Sequence, residues 1–239
     1  MKKALITGSS GAIGSAIART LAAEGYALCL HCHQGWSRAQ ELAQELSEKG
    51  HEAFVRSFDL ADARACQLAL EPLLEAEAFD VLVHAAGVHD DAPLVGMQPD
   101  QWHHVIDVSL NGFFHVVQPL LMPMIRQRSG RIIIIASVSG VTGNRGQANY
   151  AAAKAGLIGA AKSLSLELAS RNVLTNVIAP GLIASPMTEG LFDAEAIRRL
   201  VPIGRMGQPS EVADLVSFLV SDRASYLTGQ VIGLNGGMI

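Results

Sequence analysis

Residues 3–14 read KALITGSSGAIG, and this stretch decides how the chain folds. Its first five residues form a short, mostly apolar run of the length of a buried β-strand. A glycine-rich turn follows, and apolar residues then recur at Ile13, Ile17 and Leu21 with helical spacing. A strand, a glycine turn and a helix in this order present backbone N–H groups and a helix N-terminus to a pyrophosphate. The stretch therefore predicts the first βα unit of a dinucleotide-binding fold.

Three small residues shape this turn. Gly8 and Gly14 carry no Cβ, so backbone and phosphate can approach each other closely. Ala12 is the smallest substitute at a position where glycine is common. The alternative is a tight βα turn without a ligand, but the strand and helix that the motif requires are both present, which favours the phosphate site.

Strands and helices alternate along the rest of the chain. Apolar runs predict further strands at 27–31, 52–56, 80–84, 131–136, 173–178 and 230–234. Helical periodicity predicts helices near 12–24, 36–49, 62–75, 100–127, 148–170 and 209–220. Alternation of this kind is typical of the α/β class, with a Rossmann-like doubly wound parallel sheet of about seven strands and helices on both faces. Residues 182–208 are the least regular part, and we expect a substrate lid there.

Composition narrows the classes of function. The 239 residues are 49% hydrophobic and 17% charged, which suits one domain (1–239) with a large core. A net charge of −4 argues against nucleic acid or an anionic membrane as the main partner. The chain begins directly with a strand, and no run of about 20 apolar residues occurs. We therefore expect a cytoplasmic protein.

The three cysteines, Cys29, Cys32 and Cys66, show no metal-ligand spacing, so we expect no metal site. Cys29 and Cys32 form a Cys-x-x-Cys pattern within and at the end of a predicted strand. A redox pair would need a helix N-terminus to lower a thiol pKa. Core or loop cysteines are the favoured interpretation.

A second signal lies in the latter half of the chain, where Tyr150 follows Ser137 by thirteen residues and precedes Lys154 by four. Residues four apart lie one above the other on a helix, which places an ammonium beside a phenol. The positive charge is expected to lower the pKa of Tyr150, so that the phenol can act as acid or base near neutrality. Alone, Ser137 is explained as a strand-end hydroxyl and Lys154 as a solvated helix lysine, and Tyr-x-x-x-Lys pairs arise often by chance on helix surfaces. The glycine-rich turn at the start of the chain strengthens the signal.

The glycine turn together with Ser137, Tyr150 and Lys154 resembles the classical short-chain dehydrogenase/reductase family, and the resemblance covers essentially the whole chain. The other matching pieces are Asp59, the sequence HAAG at 84–87, and Pro180-Gly181. Within the family, GQANYAAAK (146–154) and LNGGM (234–238) are most similar to the 3-oxoacyl-[acyl-carrier-protein] reductases.

The resemblance implies NADPH-dependent reduction of a 3-oxoacyl thioester in fatty-acid or polyketide-type synthesis. It implies that Tyr150 protonates the developing alkoxide, that Ser137 hydrogen-bonds the carbonyl oxygen, and that Lys154 holds the nicotinamide ribose. The cofactor site that it implies comprises, with Tyr150 and Lys154, the residues Gly8, Ser10, Gly11, Ala12, Ile13, Gly14, His33, Arg38, Asp59, Leu60, Ala85, Ala86, Gly87, Pro180, Gly181, Ile183 and Ser185.

One position departs from the family pattern. The family usually carries an asparagine in the helix after strand 4, holding a water that links the lysine to solvent, and Ser109 stands there in this chain. Asn111 cannot replace it, because two residues along a helix reach the opposite face. A serine hydroxyl binds water with a shorter reach. Ser109 is therefore either a functioning variant of the relay, which we favour, or a sign of impaired catalysis.

Cofactor choice depends on the end of the second strand. An NAD preference usually shows an acidic residue there, but the sequence at 30–35 is LHCHQG, without a carboxylate. His33 and Arg38 are possible partners for a 2′-phosphate, although the histidines are equally well explained as loop polarity. Against NADP(H), Gly11 stands where many NADP-dependent relatives carry an arginine. We expect NADP(H).

Partners are expected from the resemblance alone. In the similar reductases an acyl carrier protein docks on arginines near the active-site entrance, and Arg128 and Arg171 match those positions. Each arginine is explained equally well by the favourable interaction between a positive charge and the C-terminus of a helix. A homotetramer is also implied, through the two long helices and the C-terminal strand region. Reduction of a free ketone, CoA thioester, sugar or steroid stays open, as does a non-catalytic dinucleotide-binding protein.

Overall fold

The fold is built on one sheet of parallel strands, as the computed structural model shows for residues 1–76, 78–186, 188, 190 and 192–239. Among these residues the strands are β1 (Lys3–Thr7), β2 (Ala27–Cys32), β3 (Ala53–Ser57), β4 (Val81–His84), β5 (Gly130–Ile135), β6 (Val173–Pro180) and β7 (Val231–Leu234). Their order is β3-β2-β1-β4-β5-β6-β7, and every neighbouring pair is parallel. The predicted doubly wound α/β sheet is confirmed.

Helices cover both faces of the sheet. They are α1 (Ala12–Ala23), α2 (Trp36–Glu48), α3 (Ala63–Ala76), α4 (Pro99–Ile106), α5 (Gly112–Gln127), α6 (Ser139–Thr142), α7 (Ala148–Leu168), α8 (Ala194–Leu200) and α9 (Pro209–Val220). Helices α1, α2 and α9 share one core with the sheet, and α3, α5 and α7 share the other. Two of the helices, α4 and α9, begin with a proline at the first position and a reciprocal glutamine cap before it, which explains where they start.

The strand sequences lack polar alternation because both faces of the sheet are buried. In β5, Ile133 and Ile135 belong to one core while Ile132 and Ile134 belong to the other. Successive side chains of a strand point to opposite faces, so an unbroken isoleucine run fills both cores.

The same geometry decides the Cys-x-x-Cys pattern. Cys29 and Cys32 both lie in β2, three residues apart, and pack into opposite cores as free thiols. Burial raises the pKa of the Cys29 thiol to about 12. A redox pair is therefore excluded for these two residues, and the prediction of core cysteines is confirmed.

The predicted helix 100–127 contains a break that the sequence did not indicate. A π-helical segment, Asp107–Asn111, separates α4 from α5. Among the described residues, the span Pro99–Gln127 is also the one that passes a length-and-composition test for a membrane-crossing helix. Val116, Leu120 and Met124 of this span are buried in the core between α5 and the sheet, so packing explains why the span is apolar.

The described residues of the region 182–208 have little regular structure, as expected. It contains α8 and an isolated parallel bridge between Ile183 and Gly207. Residues 187, 189 and 191 of the expected lid lie outside the described residues. The lid itself therefore stays a prediction.

Candidate active site

Two adjoining clefts open at the carboxyl edge of the sheet. The chain runs outward from β1 through β2 to β3 and then crosses back to β4 on the other side of β1. This reversal of direction creates a crevice at the carboxyl ends of β1 and β4. The first cleft, of about 310 Å³, extends over the ends of β1 to β3, and the second, of about 270 Å³, extends toward β5 and β6. Both clefts are lined by Gly8, Gly11, Ala85 and Gly87, so they form one continuous groove.

The glycine turn between β1 and α1 forms the floor of this groove. Gly8 has a φ of +70°, and a Cβ on it would lie 2.8 Å from Cα of Ala86. A Cβ on Gly14 would overlap the carbonyl group of Gly8. The Gly11 amide donates to the Gly8 carbonyl at 3.1 Å, which closes the turn. Bare backbone at these positions leaves a cradle before the N-terminus of α1, and the cradle suits a pyrophosphate.

The first cleft has the character of an adenosine-phosphate site. It is lined by Ser10, His33, Arg38, Asp59 and Leu60 among others, and the end of β2 carries no carboxylate. A Cβ on Gly35 would lie 3.2 Å from Nη2 of Arg38 and would overlap the Ser10 side chain. Glycine at position 35 thus lets the guanidinium lie close to the glycine turn.

The second cleft holds the predicted catalytic residues. Ser137, Tyr150 and Lys154 line it, with Ala12, Ile13, Gly14, Pro180, Gly181, Ile183 and Ser185. Ser137 lies just beyond β5, and its Oγ accepts a hydrogen bond from the Ser139 amide at 3.1 Å. The Ser137 hydroxyl lies near enough to the Tyr150 phenol to lower the pKa of that phenol. The end of β5 and the first turns of α7 therefore bring the Ser137 hydroxyl, the Tyr150 phenol and the Lys154 ammonium to the same side of the cleft.

The pKa expectation for Tyr150 is wrong. Burial raises the pKa of the phenol, Asp91 raises it further, and only the Ser137 hydroxyl lowers it. Lys154 is itself buried; its Nζ donates to the Ile135 carbonyl at 2.9 Å and lies 5.6 Å from the centre of the Tyr150 ring. Burial lowers the pKa of Lys154 to about 8. The ammonium is directed at a carbonyl rather than at the phenol oxygen.

Ser109 lies in the π-helical segment and is fully buried. Its Oγ accepts from the Val88 amide at 3.4 Å. A Cβ on Gly87 would lie 2.9 Å from Nζ of Lys154 and 3.5 Å from Oγ of Ser109, so both groups border the same small space. Asn111 is exposed and donates to Asp107 at 2.7 Å, which agrees with its expected position on the other face.

Arg128 and Arg171 lie close together, since Nη2 of Arg128 donates to the Ser170 carbonyl at 3.0 Å. Both arginines precede the strands β5 and β6, whereas Ser137 follows β5. A strand of six residues is about 20 Å long. The structure therefore places the pair at the amino edge of the sheet, and not at the entrance to this chain's own cleft.

Asn149 and Thr188 belong to the site but were missed in the sequence. The buried Asn149 side chain donates to the carbonyls of Asp90 (2.9 Å) and Gln101 (3.0 Å) and accepts from the Tyr150 amide at 2.8 Å. Thr188 lines the second cleft and bonds Ser185. The sequence could have indicated Asn149, because it directly precedes Tyr150. Nothing in the sequence indicated Thr188.

Comparisons with known proteins agree with this geometry. A family model described as enoyl-(acyl carrier protein) reductase matches residues 8–239. The 3-oxoacyl-[acyl-carrier-protein] reductase FabG of Aggregatibacter actinomycetemcomitans is 44% identical over 236 residues, which cover 98% of each chain. The protein of the same name from Staphylococcus aureus (strain MW2) is 42% identical, over 99% of this chain and 98% of that protein.

A third relative has a different name. Nodulation protein G of Rhizobium sp. (strain N33) is 43% identical over 99% of this chain and 96% of that protein. The relatives are similar to this chain along its whole length, and the chain has the parallel sheet, the glycine turn and the cleft lined by Ser137, Tyr150 and Lys154. Together these observations show its family. The chain belongs to the short-chain dehydrogenase/reductase family.

Proposed function

We propose that the protein reduces a 3-oxoacyl thioester to the 3-hydroxyacyl thioester with NADPH, in fatty-acid or polyketide-type synthesis. One observation carries the proposal: Ser137, Tyr150 and Lys154 share a cleft that continues into the cradle of the glycine turn. The names of the relatives from Aggregatibacter and Staphylococcus support this substrate class.

The residues of the groove fit a nicotinamide dinucleotide. Gly8, Gly11 and Gly14 would hold the pyrophosphate, and Asp59 and Leu60 would border the adenine. Lys154 would hold the nicotinamide ribose, with Ile183 and Ser185 near the carboxamide. When bound, the nicotinamide supplies the hydride that reduces a carbonyl carbon.

Tyr150 provides the proton in this mechanism. Because its pKa is raised, the phenol stays protonated throughout the neutral range and can donate to an oxygen that gains negative charge. Ser137 lies beside it and donates a hydrogen bond to the same oxygen, which stabilises the developing charge. A protonated tyrosine suits reduction, since oxidation of an alcohol would require the phenolate first.

Resupply of the proton is assigned to Lys154 and Ser109. The Lys154 ammonium, with its pKa lowered to about 8, exchanges protons readily near neutrality. Ser109 Oγ borders the same space beside Gly87 and would hold the water of the relay. Ser109 thus acts as a working substitute for the asparagine that the family usually has at this position.

NADP(H) is the proposed cofactor because no carboxylate stands at the end of β2 to repel a 2′-phosphate, and the Arg38 guanidinium lines the cleft nearby. Arg38 and His33 line the first cleft, and Ser10 lies beside Arg38 at the edge of the glycine turn. An NAD-binding site would place a carboxylate at the end of β2 to bond the ribose. The chain has Cys32 and His33 there.

An acyl carrier protein is the proposed carrier of the substrate, docking on Arg128 and Arg171. Their position at the amino edge requires that the pair serve the cleft of another copy of the chain. A homotetramer fits this requirement. Ala155 and Gly159 on α7, and Phe114 and Met122 on α5, are exposed and leave apolar helix faces for a second copy to cover. We place the enzyme in the cytoplasm, where carrier-bound acyl chains are made.

A substrate panel tests the reaction and separates the alternatives. We expect NADPH oxidation with acetoacetyl carrier protein to exceed oxidation with acetoacetyl-CoA, and free ketones, sugars and steroids to give the lowest rates. The description of the matching family model calls for one more substrate, a 2-enoyl thioester. Faster turnover of the enoyl thioester, or cofactor binding without turnover of any substrate, would refute the proposal.

Charge reversal tests the docking. The double variant Arg128→Glu/Arg171→Glu should lower kcat/KM for the carrier-bound substrate at least about tenfold, while acetoacetyl-CoA turnover stays near the parent value. The double variant Arg64→Glu/Arg223→Glu, at two other exposed arginines, serves as the charge-matched control. Equal losses for both substrates would contradict docking at this pair.

A further inference from the structure

Two buried histidines flank β1 at the level of the glycine turn. His31 lies near the end of β2 and His84 is the last residue of β4, and β1 lies between these strands. The exposed fractions are 2% for His31 and 0% for His84. Neither ring has a part in the mechanism above. A buried, polar and titratable side chain on each side of the phosphate cradle requires an explanation.

His31 binds the turn directly. The Gly8 amide donates to Nδ1 of His31 at 3.3 Å, and Nε2 of the ring lies 3.0 Å from the Phe58 carbonyl. An amide can only donate and a carbonyl can only accept, so Nδ1 is bare and Nε2 carries the proton. The carbonyl of His31 also accepts two hydrogen bonds from Ser9, one from its amide and one from its hydroxyl, each at 2.9 Å.

His84 repeats this arrangement on the other side of β1. Its Nε2 lies 3.3 Å from the Ser109 carbonyl, so this nitrogen must carry the proton. Its bare Nδ1 then accepts from the Thr7 hydroxyl at 3.1 Å. The Thr7 oxygen in turn accepts from the Ala86 amide at 3.2 Å. His84 thus connects the end of β1 with the π-helical segment that carries Ser109.

We propose that His31 and His84 are a pair of positioning residues that clamp the β1–α1 turn from both sides and hold it in the geometry that binds the dinucleotide. In each ring Nδ1 faces the last residue of β1 or the start of the turn. Nε2 donates to a backbone carbonyl on the far side, that of Phe58 after β3 for His31 and that of Ser109 in the π-helical segment for His84.

The clamp requires two neutral rings of the same tautomer. A second proton on His31 would place an N–H against the Gly8 amide, and a second proton on His84 would place a charge near Lys154. Burial lowers the pKa of His31 to about 4 and that of His84 to about 3. Both rings are therefore neutral over the range in which the enzyme would work.

Two substitutions distinguish the two nitrogens of each ring. Asparagine places an amide oxygen near the position of Nδ1 and keeps the acceptor for the turn, whereas glutamine places an amide nitrogen near Nε2 and keeps the donor for the loop. We expect His31→Gln and His84→Gln to raise the Kd of NADPH about tenfold, the effect of one hydrogen bond. His31→Asn and His84→Asn should stay within about threefold of the parent.

The affinity readout rests on the proposed cofactor, so a second readout is taken from the free protein. Amide hydrogen exchange at Gly8 should be about tenfold faster in His31→Gln and unchanged in His31→Asn. Exchange at Ala86 should respond in the same way to the two His84 variants. If the parent protein fails to bind NADPH, the proposed function is wrong, but the hydrogen-exchange rates of the free protein still test whether the histidines hold the turn.

Two further measurements guard against loss of folding. Thr7→Val removes the hydroxyl opposite His84 with little change of shape and should raise the Kd like His84→Gln, while Thr7→Ser keeps the hydroxyl and the affinity. Cys29→Ala, a buried change in β2 away from the turn, should lower Tm and leave the Kd alone. Equal Kd and exchange values in the Asn and Gln variants would overturn the clamp, as would a Cys29→Ala effect as large as that of His31→Gln.

Discussion

The ammonium of Lys154 lies 5.6 Å from the centre of the Tyr150 ring, yet its hydrogen bond goes to the Ile135 carbonyl at 2.9 Å. The lysine is thus close enough to order the site but is not aimed at the phenol oxygen. Burial controls both groups, raising the pKa of the phenol and lowering that of the amine. The pair therefore enters the reaction as a protonated donor and a lysine that exchanges protons easily.

Removing the phenol hydroxyl should stop proton donation. We expect Tyr150→Phe to lower kcat at least about 10²-fold, the lower end for general acid catalysis, with a small change in the Kd of NADPH. The measurement is steady-state NADPH oxidation with a 3-oxoacyl thioester. Tyr226→Phe, a change at a fully exposed tyrosine, is the matched control. Turnover near the parent value in Tyr150→Phe would remove Tyr150 from the mechanism.

Lys154 should destabilise the free protein at neutral pH. Its folded pKa of about 8 lies below the usual 10.5, so folding disfavours the charged form. This cost is fully present below pH 8 and disappears as pH rises toward 10.5. Lys154→Met should therefore raise the free energy of unfolding by about 1–3 kcal/mol at pH 7, and by much less at pH 10, while abolishing turnover.

Urea unfolding at the two pH values measures this difference. Lys162→Met, an exposed change on the same helix, should leave stability within about 0.5 kcal/mol of the parent at both pH values. A Lys154→Met variant that is less stable than the parent at pH 7 would show that the Ile135 hydrogen bond outweighs the cost of burying the charge.

Much of this site could be predicted because it depends on local patterns. The stretch KALITGSSGAIG, the strand–helix alternation and the Ser137-Tyr150-Lys154 spacing are all patterns between residues close in sequence. In the structure the glycine turn and these three residues line one cleft, as expected. The direction of the Tyr150 pKa could not be predicted, since it depends on how deeply α7 is buried and where the Lys154 side chain points.

Long-range features were likewise hidden. The π-helical segment at Asp107–Asn111 leaves the Ser109 carbonyl facing His84, a residue 25 positions earlier. No periodicity in residues 100–127 indicates such a segment. The strand bounds place Arg128 and Arg171 at the amino edge of the sheet. The family resemblance alone predicts both arginines near the active-site entrance, which in this chain lies at the opposite, carboxyl edge.

Ser109 should be a working member of the site. Ser109→Ala leaves the Val88 amide without its 3.4 Å partner and removes the hydroxyl beside Lys154, so we expect kcat to fall about tenfold. Ser109→Asn restores an acceptor and should keep kcat within about threefold. Both are measured as NADPH turnover across pH 6–9. If both variants match the parent, position 109 has no role in the relay.

Arg38 should decide between the two dinucleotides. Arg38→Ala removes the guanidinium beside Ser10, and we expect KM for NADPH to rise about tenfold while KM for NADH changes little. Arg19→Ala, a change at an exposed arginine paired with Glu45, is the control. A parent enzyme with the higher kcat/KM for NADH would contradict the assignment of NADP(H).

The most direct test of the account follows the hydrogen that is transferred. The enzyme is incubated with acetoacetyl carrier protein and NADPH carrying deuterium at both C4 positions, and the acyl product is analysed by mass spectrometry. We expect 3-hydroxybutyryl carrier protein with one deuterium on C3, formed by the parent and at least about 10²-fold more slowly by Tyr150→Phe. An unlabelled hydroxyacyl product, or no product from a protein that binds NADPH, would contradict the proposed function.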